Sequence, residues 1–215
     1  MRFDVLTLFP KMFEGPFAES MVKRAVEKGV VEIHTHDMRQ WAWNSYGAVD
    51  DRPFGGGVGM LIRVDVIAKA LKDVKKEGAR VVLMSARGKR YTQADAKRLS
   101  GYKNLVIVCG HYEGFDERVS SLVDEEISIG DFVLTGGEIP AMVVIDSVSR
   151  LLPGVLGKDE SSTRESFSTE GYIEYPQYTR PREFNGETVP EVLLSGDPKK
   201  IEEWQNDVTR EKSRK

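Results

Sequence analysis

The residues best suited to chemistry in this sequence are three glycine-bearing loops and one arginine. The loops at 85–88, 109–114 and 128–137 each follow a short apolar run. Because glycine has no side chain, backbone N–H and C=O groups in such loops can approach a ligand closely, although the same glycines also suit tight turns. Arg150 ends a strongly apolar segment, where a guanidinium needs a partner or an anion. These features predict a pocket built largely from backbone groups.

Common cofactor and metal signatures are absent from the sequence. No G-x-G-x-x-G follows a predicted strand, and the glycine run at 55–59 lacks the Lys-Ser/Thr ending of a phosphate loop, which disfavours a dehydrogenase or a P-loop nucleotidase. The single cysteine, Cys109, excludes an intrachain disulfide and a Cys-based zinc cluster. His34 and His36 alternate along a strand without an acidic or Cys partner, so we predict no metal site.

The loops are positioned by strands and helices that alternate along the chain. Apolar runs predict strands at 3–8, 30–35, 80–84, 105–108 and 125–127. Helical patterns are predicted in a stretch ending at Lys28 and at 64–77, 92–99, 115–123 and 138–152. Alternation of this kind is typical of an α/β domain with a mostly parallel sheet, in which ligands bind beyond the carboxyl ends of the strands.

The composition changes after the long apolar helix. Residues 158–170 are rich in Ser, Thr, Glu and Lys, which predicts a flexible linker. Asp197 and Pro198 predict the start of a last helix, with Trp204 on its apolar side. We therefore expect an α/β domain at 1–157 and a small, mainly helical C-terminal domain at 171–215.

Charge and hydropathy restrict the possible environments. The net charge of −3 argues weakly against a nucleic-acid partner, although the stretch 87–90 and the tail from Lys199 are basic. No apolar run reaches the roughly 18 residues that a membrane span needs, and the N-terminus lacks the features of a signal peptide. With a single cysteine in an apolar run, these features predict a reduced, cytoplasmic location and no membrane partner.

Several motifs, taken in order, resemble the TrmD family of tRNA (guanine-N1)-methyltransferases along almost the whole chain. The longest match, from Ser128 to Arg150, includes Ser-Ile-Gly-Asp-Phe-Val-Leu and Gly-Gly-Glu. The other matching stretches are 8–13, 49–60, 109–118, 153–157, 178–181 and 192–196. One such motif could arise by chance, but this many in the same order and at the same spacing are highly specific.

The resemblance implies a fold and a methyl donor. The fold would be SPOUT-like, with a deep trefoil knot that no periodicity in the sequence predicts. The protein would be an obligate homodimer with shared active sites, and S-adenosylmethionine would be held by three loops around the knot. The donor site implied by the resemblance comprises Met84, Ser85, Ala86, Gly110, Tyr112, Glu113, Ile129, Gly130, Asp131, Phe132, Val133, Leu134, Gly136, Gly137 and Pro140.

The resemblance also implies two catalytic groups. The reaction methylates N1 of the guanine at position 37 of tRNA, beside the anticodon. A carboxylate would remove the N1 proton, and Arg150 would stabilise the negative charge that develops on O6. The family motif Glu-Asp-Ser-Phe reads Arg164-Glu165-Ser166-Phe167 here, so Glu165 takes the place of the family's aspartate. Its extra methylene would shift the carboxylate by about 1 Å, a displacement that can cost about 10²-fold in rate.

Substrate contacts follow from the same resemblance. Asp50, Gly59, Tyr178 and Arg180 would bind the partner, the anticodon stem-loop of tRNA. A requirement for Mg²⁺ is also implied. The family continues with further helical sequence after Trp204, so the C-terminal domain is expected to be shortened, with an effect on tRNA affinity rather than on the pocket.

Two other functions remain open at this level. A knotted methyltransferase acting on ribose 2′-hydroxyls would not need Glu165, although the loop at 50–60 and the stretch 178–181 favour the guanine enzyme. The second is a catalytically weak module that binds RNA or the methyl donor without turnover. Its support is the replacement at Glu165 and the short C-terminus. Methylation of transcripts with and without the target guanine would separate all three functions.

Overall fold

The computed structural model describes residues 1–156, 165–169 and 171–212, with only the backbone described at 211 and 212. The chain divides into two compact units, Met1–Gly157 and Lys158–Lys215. Within the described ranges, no helix has both the length and the apolar character needed to cross a membrane.

A parallel sheet of five strands forms the centre of the first unit. The strands of this unit are β1 (Arg2–Thr7), β2 (Glu32–Asp37), β3 (Asp50–Asp51), β4 (Leu61–Ile62), β5 (Arg80–Arg90), β6 (Asn104–Cys109) and β7 (Glu125–Ser128). The order in the main sheet is β2-β1-β6-β5-β7, and all neighbouring pairs are parallel. The two short strands β3 and β4 pair with each other as an antiparallel hairpin. The predicted α/β domain with a mostly parallel sheet is thus confirmed.

Helices connect the strands. The α-helices of the first unit are α1 (Glu14–Phe17), α2 (Ser20–Glu27), α3 (Val64–Val74), α4 (Gln93–Leu99) and α5 (Glu138–Ser149). Helix α4 begins with a capping box in which Thr92 accepts from the N–H of Asp95 and the Asp95 carboxylate accepts from the N–H of Thr92. This box satisfies two donors that a helix start otherwise leaves unpaired.

The α-helix predicted at 115–123 is wrong in type, because Glu117–Leu122 forms a 3₁₀-helix. The Asp116 side chain accepts from the N–H of Arg118, and the Ser121 hydroxyl donates to the Arg118 carbonyl. Such local side-chain bonds compete with the α-helical pattern, and short stretches with them adopt the tighter turn.

The core has one apolar layer on each face of the sheet. Along β6, Leu105 and Ile107 belong to the layer that includes α5, whereas Val106 and Val108 belong to the layer that includes α3. Alternating residues of one strand therefore serve opposite faces, as a doubly covered parallel sheet requires. Helix α5 buries one side in this way, but Ile139 and Val143 on it remain 50% and 41% exposed.

Strand β5 continues through the loop predicted at 85–88. Its pairing with β7 shifts register between Met84 and Lys89, so the intervening residues form an irregularity within the strand. A Cβ at Gly88 would lie 2.5 Å from the backbone nitrogen of Ile127. Glycine is thus required there, because β7 approaches too closely for any side chain.

The second unit contains a short hairpin and two helices. They are β8 (Glu183–Phe184), β9 (Glu187–Thr188), α6 (Glu191–Leu194) and α7 (Pro198–Lys212). The ring of Trp204 in α7 lies 6.5 Å, centroid to centroid, from each of the rings of Tyr175 and Tyr178. These aromatic contacts join the extended stretch before the hairpin to the last helix.

Most of the linker predicted at 158–170 lies outside the described residues. The described stretch 165–169 forms a turn in which the N–H of Ser168 donates to the Glu165 carbonyl at 3.0 Å. The N–H of Phe167 donates to the Tyr172 carbonyl at 2.7 Å. Glu165 itself is half-buried within its unit.

Candidate functional site

A cavity of about 580 Å³ lies beyond the carboxyl ends of β6 and β7, beside the irregular middle part of β5. Its walls are the irregular part of β5, the loop after β6 and the stretch between β7 and α5. The carboxyl ends of adjacent parallel strands meet at one edge, where the loops diverge and leave room for a ligand. The volume falls within the range of about 300–1,000 Å³ that is usual for small-molecule sites.

The cavity brings together all the predicted donor-site residues except Asp131. Met84, Ser85 and Ala86 line it from β5, and Gly110, Tyr112 and Glu113 line it from the loop after β6. The remaining lining residues from the predicted set are Ile129, Gly130, Phe132, Val133, Leu134, Gly136, Gly137 and Pro140. Asp131 is exposed and lies 3.9 Å from Arg90, carboxylate oxygen to guanidinium nitrogen. The role of these residues in binding a methyl donor stays a prediction.

Gly137 holds two of the three loops against each other. Its N–H donates to the Gly110 carbonyl at 2.7 Å. A Cβ at this position would lie 2.8 Å from both the Cys109 Cα and the Gly110 nitrogen. Since backbone atoms cannot move aside as a flexible side chain can, this close approach of chain to chain needs glycine.

The hairpin β3–β4 packs beside the loop after β6. The N–H of Glu113 donates to the Met60 carbonyl at 3.1 Å, and the N–H of Ile62 donates to the Gly114 carbonyl at 2.9 Å. A Cβ at Gly59 would overlap the Glu113 side chain. The predicted substrate residue Gly59 therefore touches a predicted donor residue. Asp50 lies half-buried in the same hairpin, paired with Ile62.

Several polar residues that the sequence reasoning did not single out also line the cavity. They are Arg87, His111, Asp116, Glu117, Ser120, Glu126 and Thr135. A salt bridge from Arg118 lowers the pKa of Asp116 to about 2. The position of His111 inside a glycine loop was a usable signal, whereas Glu126 belongs to a predicted strand and offered none. In this wall Glu117 is paired with Arg87 at 2.7 Å, oxygen to nitrogen, whereas the Glu126 carboxylate accepts from the Ser120 hydroxyl.

A buried carboxylate lies directly behind the loops. Glu138, the first residue of α5, is fully enclosed and accepts a hydrogen bond from the Thr7 hydroxyl at 2.8 Å. Cys109 is also fully buried, and burial, with the nearby Glu138 charge, raises the pKa of its thiol well above the ordinary value. This burial follows from the place of Cys109 at the end of the apolar run 105–109.

The other predicted site residues lie in both units. Arg150 is half-buried directly after α5, and its N–H donates to the Asp146 carbonyl at 3.1 Å. Glu165 belongs to the turn at 165–169 in the second unit. In that unit, Tyr178 is half exposed beside Trp204, and Arg180 is exposed.

The described residues include no group of three or more His, Cys, Asp or Glu side chains that could hold a metal ion. The implied Mg²⁺ therefore has no matching donor set in the described part of the chain. We assign no role to it.

Comparison with known proteins places the chain among tRNA (guanine-N1)-methyltransferases. The family model for tRNA (Guanine-1)-methyltransferase TrmD matches residues 1–215. The tRNA (guanine-N(1)-)-methyltransferase of Geobacter sp. (strain M21) is 55% identical over 95% of this chain and 83% of its own length. The enzyme of the same name from Geobacter sulfurreducens is 52% identical over 100% of this chain and 89% of its own. That from Geobacillus kaustophilus is also 52% identical, over 95% and 84%.

Proposed function

This chain belongs to the TrmD family of tRNA (guanine-N1)-methyltransferases, and on that premise we propose that it transfers a methyl group from S-adenosylmethionine to guanine N1 in tRNA. The target is the guanine at position 37, next to the anticodon, in cytoplasmic tRNA. The observation that carries the proposal is the convergence of three glycine-bearing loops on one cavity of about 580 Å³. The relatives' name supplies the substrate class and the methylated atom.

The donor would occupy this cavity. The stretch 129–134 and Gly110 bring backbone groups to the cavity that suit a ligand with many hydrogen-bonding atoms, and the apolar side chains of Ile129 and Leu134 suit an adenine ring. The Glu126 carboxylate, which forms no ion pair among the described residues, would favour a cationic ligand. S-adenosylmethionine, when bound, supplies a methyl group on a positively charged sulfur.

Glu165 is the proposed general base. The proton on guanine N1 is weakly acidic, and the nitrogen becomes a good nucleophile as a carboxylate takes that proton. The supporting observation is that Glu165 is not part of an unstructured stretch, because its carbonyl accepts from Ser168 and its turn is tied to Tyr172 through Phe167. A fixed backbone limits the positions that the carboxylate can take, which compensates in part for its longer side chain.

Arg150 is the proposed stabiliser of the oxyanion. Loss of the N1 proton places negative charge on guanine O6, and a guanidinium stabilises that charge through directed N–H donors. Helix α5 fixes the backbone of Arg150 through the hydrogen bond to Asp146. Because the charge develops only during the reaction, this interaction lowers the barrier rather than strengthening substrate binding.

We also propose that the first unit contains the trefoil knot. Strand β7 pairs with β5 on the side away from β6, yet the chain after β7 returns to the end of β6, where Gly137 bonds to Gly110. To do so it must cross β5, which lies between β6 and β7 in the sheet. A return path of this kind agrees with the trefoil knot that the family resemblance implies.

A homodimer with shared active sites is proposed from the exposed face of α5. Ile139 and Val143 are 50% and 41% exposed there, and Phe132 and Val133 at the cavity rim are 53% and 87% exposed. An apolar patch of this kind marks an interaction surface, and a second copy of the chain would cover it symmetrically. Sedimentation should give a dimer at micromolar concentration, and a stable monomer would contradict the proposal.

The second unit would bind tRNA through Tyr178 and Arg180. An exposed guanidinium can pair with phosphate, and a half-exposed aromatic ring can stack on a base. The decisive experiment supplies radiolabelled S-adenosylmethionine with two matched transcripts, one carrying guanine at position 37 and one carrying adenine. We expect N1-methylguanine in the first alone. Equal labelling of both transcripts would indicate ribose methylation, and donor binding without labelling would indicate a binding module.

A further inference from the structure

Three polar side chains meet behind the cavity wall, around Gly136. The Thr7 hydroxyl donates to Glu138 Oε1 at 2.8 Å. The other carboxylate oxygen, Oε2, lies where a Cβ of residue 136 would overlap it, and His111 Nδ1 lies 2.7 Å from the same point. Because residue 136 is glycine, the space between the carboxylate and the imidazole stays open.

His111 has an unused hydrogen-bonding atom. Its Nδ1 is buried and has no hydrogen-bond partner among the described residues. The ring is held between Phe9, at 4.8 Å between centroids, and Tyr112, at 5.3 Å. An unpaired buried polar atom costs free energy, so Nδ1 is expected to gain a partner when the surroundings of the loop change.

We propose that His111 is a positioning residue for the methyl donor: when the donor binds, Nδ1–H donates a hydrogen bond to Glu138 Oε2. This inference rests on the proposed function, since it takes the cavity as the donor site. The bond adds a side-chain link between the loop after β6 and the turn that precedes α5, two adjacent segments that both line the cavity. A ligand filling the cavity excludes water and draws the loops together, which are the conditions under which a charge-assisted bond strengthens.

The groups around Glu138 indicate that its Oε2 atom is the acceptor for His111. The Thr7 hydroxyl already occupies Oε1, so Oε2 is the carboxylate atom left for a second donor. Cys109 is a weak donor with a raised thiol pKa and competes poorly for that oxygen. A hydrogen bond between neutral or protonated imidazole and a buried carboxylate can contribute about a factor of ten or more to binding.

The test compares two amides that differ only in where they place the N–H group. In His111→Asn the amide nitrogen takes the position of Nδ1, whereas in His111→Gln it takes the position of Nε2. Calorimetry with S-adenosylmethionine should give a Kd within about threefold of the parent for Asn and about tenfold weaker for Gln. His34→Leu, at an exposed histidine on β2, is the control and should leave the Kd unchanged.

A double-mutant cycle identifies the partner. Glu138→Met keeps the buried volume but removes the acceptor, so in that background His111→Asn and His111→Gln should bind the donor equally. The tenfold loss should also raise KM for the donor while kcat changes less than about twofold. A purely structural role would instead lower the Tm of the free protein in His111→Gln. Because Nδ1 has no hydrogen-bond partner among the described residues of the free protein, the proposal predicts an unchanged Tm for this variant.

The outcomes separate this inference from the proposed function. A parent protein that binds no S-adenosylmethionine would overturn the proposed function itself. A parent that binds and methylates, with equal Kd values for the Asn and Gln variants, would overturn only the role of His111. A difference between the two amides that persists in the Glu138→Met background would show that His111 contacts the donor directly, which also contradicts the proposal.

Discussion

At the amino-terminal end of the parallel sheet, charged side chains pair with one another, whereas at the carboxyl-terminal end the chain presents glycines and backbone groups. Asp4 in β1 is fully buried and bonded to Arg2 at 2.7 Å, His36 at 2.8 Å and Asn104 at 2.9 Å. At the opposite end, the irregular part of β5 and the loops around Gly110 and Gly136 enclose an open cavity.

The comparison indicates that residues at one end of the sheet stabilise the fold, whereas residues at the other end form the binding site. A buried carboxylate with all its partners in place contributes to folding and leaves nothing for a ligand, while loops shaped by close glycine contacts leave polar backbone atoms free to bind. Substitutions at the first end should therefore change stability, and substitutions at the second should change donor binding and catalysis.

Gly137→Ala should give the largest effect. The new Cβ would lie 2.8 Å from backbone atoms of Cys109 and Gly110, so the two loops must separate and the cavity must change shape. We expect donor binding to fall by more than about 100-fold in calorimetry, with far-UV circular dichroism largely retained. Gly15→Ala is the matched control, because a Cβ there meets no atom within 4 Å. Unchanged donor binding in Gly137→Ala would show that the donor does not bind in this cavity.

Glu165→Gln should slow methylation by about 10²-fold without affecting donor binding. The amide keeps the size of the side chain but cannot accept the guanine N1 proton. Single-turnover rates at saturating tRNA are the appropriate measurement, since steady-state values can report product release. Glu165→Asp, which restores the residue of the family motif, should retain substantial activity. A Gln variant as fast as the parent would remove Glu165 from the mechanism.

Asp4→Asn should lower stability by about 2 kcal/mol at neutral pH and leave donor binding intact, because Arg2 and His36 lose a buried anionic partner. Burial raises the pKa of Asp4, but hydrogen bonds from His36, Arg2 and Asn104 outweigh it, so the pKa is held well below the ordinary value. The contribution is therefore complete above about pH 4 and is lost as the pH falls through the folded-state pKa.

Urea unfolding of the parent and Asp4→Asn at pH 6, 4 and 3 would measure this effect, and the gap between the two proteins should narrow as the pH falls. Arg87→Ala serves as the control, because its ion pair with Glu117 is exposed on both sides and should contribute less than about 0.5 kcal/mol. A gap that widens in acid would mean that Asp4 does not act through its charge.

The sequence predicted those parts of the structure that depend on local patterns. The apolar runs at 80–84 and 105–108 predicted buried strands, and the helical pattern at 92–99 predicted α4, because each signal lies within a few residues. The glycine-bearing loops predicted a pocket for the same reason. Long-range features gave no such signal. The pairing of β5 with β7 on both sides of its irregularity and the meeting of His111 with Glu138 depend on distant parts of the chain.

Because Cys109 is buried next to the cavity, the rate at which its thiol reacts can report motion of the loops around it. It is the single cysteine of the chain, it ends β6 directly before the loop at 110–114, and its thiol is shielded and resists ionisation. An alkylating reagent can reach the sulfur only while the surrounding loops are transiently apart. The rate of alkylation therefore measures how often the loops open. A ligand that fills the cavity should lower this rate in proportion to the fraction of time that it keeps the loops closed.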